Sequence, residues 1–74
     1  MFEYCQVFMG YDDEIGEYIN IAKDSFGKTI SSDKNLMALF RRLGKDNWEL
    51  VLSIEQKMRY DNTRPIYFFK RIAK

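Results

Sequence analysis

LGKDNWELV, residues Leu43 to Val51, is the stretch whose reading decides the fold, because it joins a helix end, a tight turn and the only tryptophan of the chain. Working backwards, Leu36, Leu39, Phe40 and Leu43 fall at i, i+3, i+4 and i+7, one face of a helix. The pattern predicts a helix over Ser32 to Leu43. Ser31 or Ser32 is placed to accept a backbone N–H as N-cap, and Asp33 puts a negative charge against the first turn. Gly44 follows the last apolar position, where a left-handed residue after the helix costs glycine nothing, while Arg41, Arg42 and Lys45 complement the carbonyl end. Working forwards, Lys45-Asp46-Asn47 is a polar turn, and Asp and Asn are the non-glycine residues that best tolerate positive φ. Trp48, Leu50, Leu52 and Ile54 then alternate with Glu49, Val51, Ser53 and Glu55, which is the period of a strand with one buried face, running from Trp48 to Lys57 or slightly beyond. A helix leading straight into such a strand lays its apolar stripe on the sheet, so the expected core is Leu36, Leu39, Phe40, Leu43, Trp48, Leu50 and Leu52.

The same residues resemble a widespread small bacterial domain of unknown function. Its pattern reads roughly M-x-x-Y-x-V, a helix, L-G-x-x-G-W-E-L-V, and a final strand with F-K-R. The likeness rests on the opening Phe2-Glu3-Tyr4, on Leu43, Gly44, Trp48, Glu49, Leu50 and Val51, and on the strand ending Tyr67-Phe68-Phe69-Lys70-Arg71. It implies a small antiparallel sheet with one helix packed on it, and no agreed activity. The chain departs from the pattern at Asn47, where the family usually has glycine, and in an insertion-like stretch between the first strand and the helix.

Around this centre the fold class reads as α+β: an antiparallel sheet of three to five strands with one helix on one face. Seventy-four residues make a single domain, at a size where about 60% of the unfolded surface is buried on folding. The first strand is expected from Phe2 to Met9, with both faces largely apolar, as in a central strand or one covered by a partner chain. Gly10 to Gly16, GYDDEIG, reads as a loop. Glu17 to Ile30 is read as a hairpin about Asp24-Ser25-Phe26-Gly27, whose turn chemistry and following Thr29-Ile30 suit strands; a short helix from Asp13 to Lys23 is the alternative. Tyr60 to Pro65 is a polar turn, Pro65 marks a strand beginning, and Ile66 to Ile72 is the last strand.

Composition weighs against catalysis. Histidine is absent and serine sits in no glycine elbow, and the lone Cys5 has no base beside it, so a buried inert thiol is the plain reading. No cofactor is expected. Asp12, Asp13, Glu14 and Glu17 lack the alternation and closing acid of a calcium loop and read as a solvated loop, with no metal. A single cysteine fits a reducing cytoplasm. With no leader and no run of eighteen apolar residues, the chain is expected to be soluble and cytoplasmic, with no membrane partner.

Charge is unevenly spread. Residues 1–40 hold three lysines against seven acids, a balance of −4, and residues 41–74 hold nine Lys or Arg against four acids, a balance of +5. Arg41, Arg42, Lys45, Lys70 and Arg71, with Lys74, would form a phosphate-binding patch if they converged, with Tyr67 or Phe68 to stack bases. The plain alternative is a solvated surface with dipole compensation. Six Phe, five Tyr and one Trp exceed what one helix on a small sheet buries, so some of that surface should meet another molecule, most simply a second copy. The function this supports is a small non-enzymatic protein-binding module of bacterial or phage type that self-associates as a homodimer. Nucleic-acid binding is the runner-up and a small-ligand pocket beside Trp48 is third, since Trp48 itself reads as core packing.

Overall fold

The computed structural model describes residues 1–57, 59 and 62–73. Its elements are β1 (Phe2–Asp12), β2 (Glu17–Asp24), β3 (Thr29–Asp33), α1 (Leu36–Lys45), β4 (Glu49–Lys57) and β5 (Thr63–Ile72). The strands form one five-stranded sheet in the order β3-β2-β1-β5-β4, antiparallel throughout. The expected α+β class holds. The connectivity explains where the helix lies. β3 and β4 are the two edges of the sheet, and α1 is the segment between them, so it has to cross a whole face. Ten helical residues rise about 15 Å, which with short linkers spans the four strand gaps of about 4.8 Å each.

Two hairpins build the first half, and both turns are held by aspartate. The Asp12 carboxylate accepts the N–H of Glu14 at 2.8 Å and of Ile15 at 3.3 Å, and Gly16 takes a left-handed φ of 68°. β1 therefore runs to Asp12, three residues past the expected end at Met9. Gly10 lies inside it, where a Cβ would fall 2.7 Å from Cδ1 of Ile21 on the neighbouring strand. At the second turn Asp24 accepts the N–H of Phe26 (2.9 Å) and of Lys28 (3.0 Å), with Gly27 at φ 82°. The hairpin reading of residues 17–30 is the one observed, and the helix over 13–23 is not formed.

Helix α1 starts later than its apolar spacing suggests. Ser31, Ser32 and Asp33 belong to β3, opposite Ala22, Ile21 and Asn20, so they are spent on the ladder. Asn35 becomes the N-cap, its side chain accepting the N–H of Ala38 at 3.0 Å. At the other end Gly44 stays within the helix, and the left-handed residue is Asn47 at φ 69°. The N–H of Trp48 donates to the Leu43 carbonyl (3.0 Å) and that of Asn47 to Gly44 (3.1 Å), the paired bonds of a helix that stops on a left-handed residue. Leu43 and Trp48 are both in the core cluster, the apolar contact that accompanies this ending.

The core lies between α1 and one face of the sheet. Cys5, Val7, Ala22, Leu39, Leu43, Trp48 and Phe69 are buried together, with Leu36, Phe40 and Tyr67 packed against them. The Phe40 ring meets Tyr67 and Phe69 edge-on, with centroids 5.0 and 5.3 Å apart. Five of the seven expected core residues are in place. Leu50 and Leu52 are the correction, at 54% and 48% exposed. The register slips between them: Leu50 faces Phe69 and Leu52 faces Phe68. A bulge of this kind inverts the alternation, so Leu52 and Ile54 turn to the face opposite the helix. Any extension of β4 past Lys57, and Tyr60 and Asp61 of the expected turn, lie outside the described residues. β5 begins at Thr63, ahead of Pro65, and Pro65 sits where β5 pairs with β4 alone, beyond its pairing with β1.

Candidate functional site

The sheet has one covered face and one bare one. Residues paired across strands share a face, so the register lays out the bare side. Phe2 lies beside Ile72, Tyr4 beside Lys70, and Gln6 beside Phe68; Leu52 continues the row of Phe68, and Ile54 lies beside Ile66. On the other flank Phe8 meets Ile21 and Gln6 meets Lys23. Around Gln6 this is an apolar field, and much of it faces solvent: Phe2, Tyr4, Leu52 and Ile54 are each about half exposed, and Ile72 is 74% exposed. Phe8, Ile66 and Phe68 are half-buried by their neighbours.

The cations on this face lie along its rings. Nζ of Lys70 sits 4.6 Å from the Phe2 ring centroid, and Nζ of Lys23 sits 5.9 Å from that of Phe8. Both ammonium groups thus lie within reach of an aromatic face, whose quadrupole attracts the charge. Glu49 stands opposite Lys70 in the β4–β5 ladder, a cross-strand pair of opposite charge.

The five expected contact residues do not gather into one free patch. Arg42 ties the helix to β3: its guanidinium donates to Asp33 Oδ2 (2.8 Å), Ser31 Oγ (3.1 Å) and the Ser32 carbonyl (2.7 Å). The Asp33 carboxyl is held below its ordinary value, first by the Asn35 N–H and then by Arg42. Arg71 is engaged as fully. Its Nε donates to Glu3, its Nη1 donates to the Asp46 carbonyl at 3.0 Å, and its guanidinium lies 4.3 Å over the Trp48 ring. Lys70, next in sequence, points to the opposite face. Arg41 and Lys45 are exposed on the helix. Lys74 lies outside the described residues. Tyr67 packs against the core on the helix side, so of the two rings expected to stack bases, Phe68 alone faces the bare side.

A shallow concavity of about 720 Å³ lies beside Trp48, lined by Phe2, Gly44, Asn47, Glu49, Lys70 and Arg71 among others. Trp48 is 6% exposed and packed under Arg71, so its ring contributes little to that wall. Cys5 is 3% exposed. Burial pushes its thiol up to about 11, with Arg71 pulling weakly the other way, and a thiol so held is a poor nucleophile. Among the described residues no group of three His, Cys, Asp or Glu stands close enough to hold a metal ion, and no helix is long and apolar enough to cross a membrane.

No family model, curated protein or solved structure matches the chain. The surface has to be read from its own chemistry. Phe2, Tyr4, Phe8, Ile66 and Ile72 were not singled out as contact residues by sequence, although the two apolar faces of the first strand were a signal pointing to Phe2, Tyr4 and Phe8. Leu52 and Ile54 gave no such signal, because only the bulge at Val51 turns them to this side.

Proposed function

We propose that this chain is a small non-enzymatic protein-binding module that self-associates, and that its working surface is the helix-free face of the sheet. One observation carries the reading: a contiguous field of large apolar side chains, Phe2, Tyr4, Leu52, Ile54 and Ile72, stands exposed on the face of the sheet that no helix crosses. Soluble monomers rarely expose continuous apolar patches beyond a few hundred Å² unless a partner uses them. The buried, inert state of Cys5 and the lack of any histidine agree with binding rather than catalysis. A reducing cytoplasm suits such a thiol.

The nucleic-acid reading keeps one favourable observation, the cations of Lys70 and Lys23 seated over Phe2 and Phe8, since rings beside positive charge are how single strands are stacked and neutralised. It loses the patch first expected for it, because Arg42 and Arg71 are bound internally. A photo-reactive residue placed at Ile54, with Met37 on the exposed helix side as control, separates the readings in living cells. Protein adducts from position 54 alone support the module. Nucleic-acid adducts there would replace it with the second reading, and no adducts at either position would remove both.

A further inference from the structure

We infer that the occupant of the helix-free face is a second copy of this chain, packed sheet against sheet with Gln6 at the centre of the contact. The inference rests on the proposal that this face is a docking surface, and adds which molecule docks and how.

Area is the first argument. Four strands about 4.8 Å apart and about eight residues long, at about 3.3 Å per residue, outline about 19 by 26 Å, or roughly 500 Å² in projection. Two copies therefore cover roughly 1,000 Å² before side-chain corrugation adds to it, which reaches the size that specific interfaces clear. Composition is the second. Leu52, Ile54, Ile66 and Ile72 are branched aliphatics, the filling of a sheet-on-sheet core rather than of a base-stacking surface. The charges are few and each has a partner within the face: Lys70 faces Glu49 across the ladder and lies over the Phe2 ring, and Lys23, beside Gln6, lies over the Phe8 ring.

Edge pairing, the rival mode of self-association, explains less. The free edge of β4 carries the bulge between Leu50 and Leu52, a device that twists an edge away from new partners. Two copies joined edge to edge would also leave both apolar faces bare. Packing face to face buries them.

Gln6 fixes the registration. It is an exposed polar side chain on the central strand, between Tyr4 and Phe8 along β1 and between Lys23 and Phe68 across the sheet. A two-fold axis lying between the sheets near the middle of this field brings Gln6 opposite its copy. Packed sheets stand about 10 Å apart, a gap that two glutamine side chains bridge end to end, each amide donating to the other's carbonyl. Any displaced arrangement would bury the amide against Phe or Ile without a partner, which costs free energy. The polar residue thus selects one arrangement out of several that the apolar field alone would permit.

The test is sedimentation of the purified full chain at tens of micromolar, with Gln6→Glu, Ile54→Lys and the helix-side control Met37→Lys, each first shown by circular dichroism to keep its fold. The expected result is a mass near twice 8.9 kDa for the parent and Met37→Lys, and dissociation constants raised at least about tenfold for the other two. A monomeric parent overturns the inference, and so does a dimer indifferent to both face substitutions. If the parent is monomeric while position 54 still gives protein cross-links in cells, the docking proposal stands with another partner; if both fail, the two fall together.

Discussion

Arg71→Gln distinguishes a structural arginine from a surface one, and its cost can be worked from three contacts. The guanidinium over Trp48 at 4.3 Å is worth about 0.5–1 kcal/mol at a partly exposed site. The pair with Glu3, whose side chains keep 33% and 42% of their exposure, adds about 0.2–1 kcal/mol. The hydrogen bond to the Asp46 carbonyl, at the end of α1 where carbonyls lack helical partners, adds about 0.5–1.5 kcal/mol. The three share one side chain and do not add fully, so the expected loss is about 2 kcal/mol, against a total stability of about 4–11 kcal/mol for a chain of this length. At about 4–8 °C per kcal/mol, melting falls by about 8–16 °C. Urea unfolding followed by Trp48 fluorescence measures it, with binding to a single-stranded homopolymer assayed beside it. Arg71→Lys, which keeps the charge but not the planar fork, recovers less than half of the loss. A change below about 0.5 kcal/mol together with a collapse of salt-sensitive homopolymer binding would refute the reasoning and restore Arg71 to a solvent-facing patch.

Asn47→Ala is expected to cost about 1 kcal/mol, because the left-handed backbone at φ 69° disfavours a Cβ without asparagine's local hydrogen bonding; Asn47→Gly stays within about 0.5 kcal/mol of the parent, and equal denaturant midpoints for Ala and Gly would contradict the assigned helix ending. Cys5 is expected to resist thiol reagents at neutral pH until denaturant is added, and labelling of the native protein at the rate of a free thiol would show that the strand opens locally. With its pKa raised from 9.0 to about 11, the contribution of Cys5 to stability is complete below pH 9.0 and lost as pH rises through the folded value, a decline that Cys5→Ala lacks. Asp33 works in the opposite sense. Its lowered pKa means that its contribution is present above the ordinary value of 3.8 and lost as pH falls through the folded one, so the stability gap between the parent and Asp33→Asn should close in acid.

Much of the fold was legible because the signals are local. The apolar stripe Leu36, Leu39, Phe40, Leu43, the polar turn ending at Asn47 and the aspartate turns of the first half each specify their backbone within a few residues. The helix start was misplaced because Ser31, Ser32 and Asp33 are good capping residues that a neighbouring strand takes up first, a decision made by tertiary pairing. The inward orientation of Leu52 failed for a similar reason: strict alternation holds only without a bulge, and a bulge needs a partner strand to be seen, whereas Leu50 keeps the side of Phe69 but is left exposed there. The basic patch dissolved because sequence counts charges without their partners. Arg42 and Arg71 are two of its five members, and each is bound to an acid and a backbone carbonyl. What sequence did carry was the excess of aromatics, and the sheet places four of them, Phe2, Tyr4, Phe8 and Phe68, on the helix-free face.

The central claim is that this face is covered in solution, and solvent paramagnetic relaxation of methyl-labelled protein tests it most directly. A soluble paramagnetic probe should relax the Met37 methyl on the exposed helix side strongly, and leave the methyls of Leu52, Ile54 and Ile72 as shielded as those of buried Leu39. Relaxation of Ile54 and Ile72 equal to that of Met37 would mean that the face stands open to water and that the account is wrong.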